Sequence, residues 1–379
     1  MIAPDLFFKC LQSAGVSFFA GVPDSLLKEF CAYVDAVLPP ELHIITANEG
    51  SAVAVAAGYH LATDSVPLVY MQNSGLGNSV NPLLSLADAD VYGLPIVLLV
   101  GWRGEPGVKD EPQHVKQGRV TPAMLDAMEI PYWVLDADED AAMKSATKAV
   151  GEAVLRNAPV VLLAREGIFS NSDKRRPNAH GQRYKLSRER ALECVVEALP
   201  SSATLVSTTG KISRELYELR RKMGQSGASD FLTVGSMGHA SQIALGISIA
   251  APEQLVVCID GDGAVIMHMG GLASVGTVAP KRFLHIVLNN GAHESVGGQP
   301  TSAFDIDLSA IAKATAYREV MPMISEESEI AGAIAKMLST EGPVFQELRV
   351  STGSRGDLGR PVETPKENKK LFADRLRRM

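Results

Sequence analysis

Runs of uninterrupted apolar residues punctuate this chain at intervals, separated by stretches whose apolar positions recur with a helical period. Residues 16–20, 43–47, 68–71, 96–100, 131–135 and 159–164 read as strands in the first half, and 204–207, 231–234, 255–259 and 283–288 in the second. Strands that are apolar on both sides are buried on both faces, and helices between them imply parallel sheets. The intervening periodicity predicts helices over residues 5–14, closed by Gly15, and over 51–59, 139–156, 188–199 and 264 to about 276. The helix over 51–59 is small and apolar on nearly every side, so it is expected to be packed all round. Residues 170–187 are polar, hold Gly and Pro and lack any period, which reads as a linker. The expected fold is therefore α/β: two domains of parallel sheet flanked by helices, residues 1–169 and 188–379, built on one duplicated plan.

A chain of 379 residues is long enough for about two to three such cores. A formal net charge of -7 argues against general nucleic-acid binding, and any anionic substrate must be drawn by local basic groups. The apolar runs are far too short to span a bilayer, so no membrane association is expected. The N-terminal residues lack the pattern of a signal peptide, and Cys10, Cys31, Cys194 and Cys258 are scattered without metal spacing. A reduced, cytoplasmic setting is expected.

The chemistry gathers where strands end. Gly261-Asp262-Gly263 turns the strand over 255–259 into a helix, and 25 residues further on Asn289-Asn290 closes the next strand. Both motifs thus emerge at one carboxyl-terminal sheet edge, where open α/β sheets bind ligands. A carboxylate, an amide oxygen and backbone carbonyls suit Mg²⁺ holding a diphosphate, with helix N-terminal amides for the phosphates. Thr208-Thr209-Gly210-Lys211 follows another strand; it is no nucleotide P-loop, since Leu205 stands at the first glycine position and Ile212 follows the lysine, but it can cradle a diphosphate. Asp24 and Ser25 follow the strand over 16–20, where helix capping, with Ser25 starting a helix at Leu26, and a site role are both open. Glu49, at the mouth of the apolar helix, serves either the helix dipole or acid–base chemistry. Residues 72–78, with Asn73, form a glycine- and amide-rich turn, and 102–118 an irregular loop carrying Lys109, Gln113 and His114. The tail holds Arg355 and Arg360 among flexible residues and reads as a disordered basic terminus.

The Gly261-Asp262-Gly263 and Asn289-Asn290 pattern resembles the signature of the thiamin diphosphate (ThDP)-dependent 2-oxoacid decarboxylases. Asp110-Glu111-Pro112-Gln113-His114 is similar to the phosphonopyruvate and sulfopyruvate decarboxylases among them. The resemblance implies pyrimidine-binding elements first and diphosphate-binding elements second, without the middle domain of longer relatives. It implies ThDP and Mg²⁺ as cofactors, with Asp262, Asn290 and the Ala292 carbonyl on the metal. Thr209, Gly210, Gly263 and Ala264 would lie at the diphosphate, the Gly235 carbonyl at the 4′-amino group, and Met237 as the wedge that bends the cofactor. Glu49 would hydrogen-bond N1′ and share a proton with the ring. Only His114 can take the place of the His pair of larger relatives; with Glu49, the catalytic group would include Asp24 and His114, either of which could return the proton after CO₂ loss. Ser25, Asn73, Lys109, Gln113, His293, Glu294, Arg355 and Arg360 would face the substrate. The implied reaction is decarboxylation of 3-phosphonopyruvate, a small anionic 2-oxoacid, to phosphonoacetaldehyde in phosphonate biosynthesis. Sulfopyruvate is the rival, disfavoured because those enzymes commonly split the two halves between subunits; a noncatalytic ThDP-binding subunit is the other alternative. A homodimer or homotetramer with sites at subunit interfaces is expected.

Overall fold

The computed structural model describes residues 1–172, 174 and 183–378. The chain divides into two compact units, residues 1–177 and 178–379; residues 173 and 175–182 of the expected linker lie outside the described residues. The first unit runs α1 (Pro4–Ser13), β1 (Val16–Gly21), α2 (Lys28–Val37), β2 (His43–Ile45), α3 (Glu49–Thr63), β3 (Val66–Gln72), α4 (Leu76–Pro82), β4 (Val97–Gly101), α5 (Pro112–Ala127), β5 (Tyr132–Val134), α6 (Glu139–Arg156) and β6 (Val160–Ala164). The second runs α7 (Arg188–Ala198), β7 (Thr204–Ser207), α8 (Lys211–Lys222), β8 (Asp230–Leu232), α9 (Ala240–Ala250), β9 (Val256–Gly261), α10 (Asp262–Met267), α11 (Gly271–Val278), β10 (Phe283–Asn289), α12 (Leu308–Ala314), β11 (Glu319–Val320), α13 (Glu327–Leu338), β12 (Val344–Arg349) and α14 (Pro365–Leu376).

Each unit closes one six-stranded sheet whose named pairings are all parallel, in the orders β2-β1-β3-β4-β6-β5 and β8-β7-β9-β10-β12-β11. Subtracting six from each strand number of the second order returns the first, so the duplicated plan extends to topology. The uninterrupted apolar strands feed two cores each, because alternate side chains leave opposite faces. On β3, Leu68 and Tyr70 enter one cluster and Val69 and Met71 the other. On β9, Val257 and Ile259 oppose Val256 and Cys258 in the same way.

Several expectations are corrected. Helix α3 is not packed on all sides: Ala54, Val55, Gly58, Leu61 and Ala62 are exposed, a stripe the remainder of its own unit leaves uncovered. The glycine-rich stretch after β3 is helical, a 3₁₀ turn over Asn73–Gly75 running into α4. Helix α5 begins at Pro112 inside the expected loop; proline suits the first helical position, and Gly118 sits mid-helix because a Cβ there would lie 1.9 Å from the Gly104 carbonyl oxygen. The expected helix over 264–276 is broken into α10 and α11 by a turn over residues 268–270. The tail ends in an ordered helix, α14, started by a capping box between Thr364 and Glu367. Asn368 of α14 pairs with edge strand β8, donating to the Asp230 carbonyl at 2.9 Å and accepting from Leu232 N–H at 3.2 Å, which ties the tail down. Among the described residues no helix is long and apolar enough to cross a membrane.

Candidate functional site

In both sheets the chain leaves the first strand outward to one neighbour and returns on its other side, so the crossovers part between β1 and β3 and between β7 and β9. Such a switch point opens a crevice at the carboxyl ends of the strands. The residues of interest sit on the turns that leave these strands and their neighbours.

In the first unit, Asp24 follows β1 and is fully buried. Its carboxylate accepts from Gln72 Nε2 at 2.7 Å and from the Leu26 N–H at 3.0 Å. Burial raises its pKa above the ordinary carboxylate range, opposed by the Gln72 bond and by nearby Arg103. Ser25 does not cap α2, which starts at Lys28 without a side-chain cap; its hydroxyl accepts from Arg103 Nη1 at 2.8 Å. Arg103 is gripped through Nε and Nη2 by Asp110. Burial pushes the Asp110 carboxyl up, but that pairing and the N–H groups of Glu111 and Gly104 outweigh it and hold it well below the usual range. Asn73 is fully buried and spends its amide on this loop: Nδ2 donates to the Arg103 carbonyl at 2.8 Å and to Thr121 Oγ1 at 3.0 Å, and Oδ1 accepts from Arg103 N–H at 3.2 Å. Asn73 therefore acts as a ligament for the Arg103 loop. Lys109 lies exposed on the same loop.

Gly101 is required at the end of β4, since a Cβ there would stand 2.0 Å from Asp24 Oδ2. Gly101→Ala is expected to cost about 1–3 kcal/mol of stability through overpacking. Gly151→Ala on α6, where a Cβ meets nothing within 4 Å, is the control that should lose nothing in a denaturant melt.

Gln113 and His114 stand on the first turn of α5, and the Gln113 Oε1 is buried without a partner. Burial, with Arg103 nearby, lowers the His114 pKa from 6.5 to about 4. Between those values the folded protein holds less of a proton on this ring than the unfolded chain does, so stability falls as pH drops from 6.5 towards 4. His114→Gln should reduce that acid loss by about 2 kcal/mol, discounting for a ring that still meets solvent, as read from melts at pH 7 and pH 4.5.

Glu49 is the first residue of α3 and is 5% exposed. Asn78 Nδ2 donates to its Oε2 at 2.7 Å. Gly75 lies against the carboxylate, where a Cβ would come within 2.5 Å of Oε1. The glycines and amides after β3 thus serve close contact with Glu49.

In the second unit, Thr208, Thr209 and Gly210 link β7 to α8. Gly210 takes φ +100°, closed to most side chains, and aims the first N–H groups of α8 at the switch point. Ser213 pins the turn by donating to the Thr208 carbonyl at 2.7 Å. The Thr208 and Thr233 hydroxyls are buried without a partner. On the neighbouring turn Asp262 opens α10, 3% exposed, bonded by Thr301 Oγ1. Burial lifts its pKa from 3.8 to about 6, and the groups that oppose this are neutral: the Thr301 hydroxyl and the backbone N–H groups of Asp262, Asn290 and Gly263. Met237 and His293 close over Gly263 and leave little room for a side chain, a Cβ there lying 3.1 Å from His293 Cε1 and 3.4 Å from Met237 Cε. Gly235 opens the Met237 loop, and Ala264 is the third residue of α10. Burial also lowers the His293 pKa to about 4.

The paired asparagines have different partners. Asn289 Nδ2 donates to buried Glu347 at 2.8 Å, and Glu347 is held by Arg349 at 2.9 Å. Asn290 Nδ2 donates to Glu294 at 2.8 Å while its Oδ1 accepts from Ala292 N–H at 3.1 Å. Glu294 is bound by Arg188, by Lys211 Nζ at 3.1 Å and by Gly353 N–H at 2.9 Å. Burial raises its pKa, but Arg188 and Lys211 outweigh that and keep it below the ordinary value.

The structure brings Asp262, Gly263, Met237, Asn290, Ala292, His293 and Glu294 into one cluster, and Asp24, Ser25, Asn73, Gln113 and His114 around Arg103. Arg355 is taken by Glu189, Glu218 and Asp357, and Arg360 is exposed. Arg103, Gln72, Asn78, Thr208 and Arg188 were not singled out as site residues from the sequence. Thr208 lay in the turn already read as a diphosphate cradle, Arg103 in the irregular loop over 102–118, and Gln72 and Asn78 in a stretch marked by its amides.

The donor sets fit the cofactor pair the sequence resemblance implies. Two unpartnered hydroxyls beside the N-terminus of α8 suit phosphate oxygens. A buried carboxylate with neutral partners, beside an amide oxygen, suits a divalent cation.

Residues 1–130 match the family described as thiamine pyrophosphate enzyme, N-terminal TPP binding domain, and residues 208–348 match its C-terminal TPP binding domain. A phosphonopyruvate decarboxylase of Streptomyces viridochromogenes is 38% identical over 96% of this chain and 92% of its own. One of Streptomyces hygroscopicus is 36% identical over 99% of this chain and 94% of its own. A sulfopyruvate decarboxylase of Methanosarcina acetivorans is 27% identical over 97% of this chain and 95% of its own.

Proposed function

Because this chain belongs to the phosphonopyruvate decarboxylase family of thiamine pyrophosphate enzymes, and is a decarboxylase, we propose that it removes CO₂ from 3-phosphonopyruvate with ThDP and Mg²⁺ as cofactors. The product would be phosphonoacetaldehyde, for phosphonate and antibiotic biosynthesis. The observation that carries the substrate assignment is identity of 38% and 36% to relatives of that name, against 27% to the sulfopyruvate decarboxylase. Fusion of the two halves does not discriminate, since the latter also spans nearly the whole chain. CO₂ release assayed with phosphonopyruvate and sulfopyruvate side by side, with and without ThDP and Mg²⁺, tests this reading. A higher kcat/KM for sulfopyruvate would replace the substrate, and cofactor binding without CO₂ release would leave a noncatalytic subunit.

Bound ThDP supplies a nucleophilic carbon for the keto group and an electron sink for the loss of CO₂. The protein's own part is to hold and to move protons. Glu49, buried against Gly75, would hydrogen-bond N1′ of the pyrimidine and exchange its proton there. Asp262, Asn290 and the Ala292 carbonyl would hold Mg²⁺, with Thr209, Gly210, Gly263 and Ala264 at the diphosphate. Gly235 and Met237 would meet the pyrimidine side. Asp24, kept from ionising easily by burial, is suited to give a proton after CO₂ departs. His114, held neutral at pH 7 by burial, suits accepting a proton or offering its ring N–H as a hydrogen bond. Ser25, Gln113 and the half-buried Arg103 offer hydrogen bonds for a phosphonate, and Lys109, His293 and the tail residue Arg360 remain candidates on the same reading. Arg355 is less suited, its guanidinium being shared among three carboxylates.

Self-association belongs to the proposal. Helix α3, which starts at Glu49, leaves Val55 37% and Leu61 70% exposed, an apolar stripe that a second copy would cover. A homodimer or homotetramer by sedimentation, and monomers on Leu61→Glu, are the expected outcomes. Four free cysteines fit a reducing, cytoplasmic setting.

A further inference from the structure

We propose that Glu294, anchored by Arg188 and Lys211, is a positioning residue that fixes which end of the Asn290 amide is left to serve a metal held with Asp262. The inference rests on the reading of Asp262 and Asn290 as metal ligands.

An asparagine amide presents an acceptor at one end and a donor at the other, so a metal ligand turned the wrong way offers N–H₂ to the cation. At Asn290 the two ends meet opposite neighbours. Nδ2 faces Glu294 Oε2 at 2.8 Å and Oδ1 faces the Ala292 N–H at 3.1 Å. A flip would set oxygen against a carboxylate and N–H₂ against N–H. The Ala292 contact alone uses one lone pair of Oδ1 and leaves the other free.

What makes Glu294 an unambiguous acceptor is its surroundings. Arg188, Lys211 and the Gly353 N–H all donate to it. Arg188 is itself 4% exposed and locked on its far side by Glu215, through Nε at 2.9 Å and Nη2 at 2.6 Å. The carboxylate thus cannot swing away without leaving a buried guanidinium half-paired. Lys211 is the first residue of α8, so the same carboxylate also joins the phosphate-facing turn to the amide ligand. Asn289 shows the contrast: its Oδ1 accepts from Gly291 N–H at 3.0 Å inside a core fully closed to solvent, and its Glu347 and Arg349 partners fasten strand ends. Outer partners of metal ligands commonly change metal affinity 10- to 100-fold.

The test titrates Mg²⁺ into full-length protein saturated with ThDP, reading the Mg²⁺ Kd by calorimetry, with a thermal melt of each cofactor-free variant. Glu294→Ala is expected to raise the Mg²⁺ Kd about 10- to 100-fold. Should Glu294→Ala not fold, Asn290→Asp and the double variant Asn290→Asp, Glu294→Gln carry the test. The first sets two carboxylates face to face and should weaken Mg²⁺; the second lets a glutamine N–H₂ face the new carboxylate and should recover at least part of the affinity. An unchanged Kd in Glu294→Ala, or no recovery in the double variant, overturns the positioning role. Asp262→Ala is measured alongside: an unchanged Kd there would instead remove the metal-site reading beneath the proposal.

Discussion

Glu49→Gln is expected to lower kcat about 10³-fold while ThDP still binds. Gln keeps the volume that packs on Gly75 and can still accept from Asn78, so the immediate surroundings survive. The start of α3 does not depend on the carboxylate, because Asn48 caps it by accepting from Ser51 N–H at 2.9 Å. What an amide cannot do is take and return a proton at N1′. The expected signature is therefore normal melting, near-normal ThDP affinity by calorimetry and almost no CO₂ release. Turnover within tenfold of wild type would reject the assigned role.

Asp262→Ala should raise the ThDP Kd in the presence of Mg²⁺ more than ~100-fold, beyond what an outer-shell change does. The cofactor-free protein is expected to melt no lower than wild type. With the pKa raised from 3.8 to about 6, the ionised carboxylate that predominates at pH 7 is disfavoured inside the fold and favoured once exposed. Removing it deletes that penalty, which offsets the hydrogen bonds that the carboxylate accepts from Thr301 and Asn290. Lost cofactor binding with an intact melt separates a ligand from a structural residue. Mg²⁺-dependent binding equal to wild type would dismiss Asp262 as a metal ligand.

The strands were legible because burial on both faces writes continuous apolar runs: β7 occupies residues 204–207 and α6 occupies 139–156, as read from sequence. Glycine was misread where it serves proximity. Gly75 and Gly118 looked like breaks, yet both lie in helical turns, one making room for Glu49 and the other for the Gly104 carbonyl. The site motifs were visible because each is contiguous in sequence where a strand ends, Gly261-Asp262-Gly263 at β9 and Asn289-Asn290 at β10. Their supports were not, because Arg188 stands 106 residues from Glu294 and Glu347 stands 58 from Asn289. No local pattern encodes such pairings. Arg355 illustrates the reverse error, a basic residue beside glycines that folding commits to acidic neighbours.

The two sheets share one strand order, and among the described residues neither borrows a strand from the other. A ribosome that released the halves as separate polypeptides would leave every backbone ladder whole. One consequence of the peptide link between them is stoichiometric: a single message yields the two modules in equal dosage.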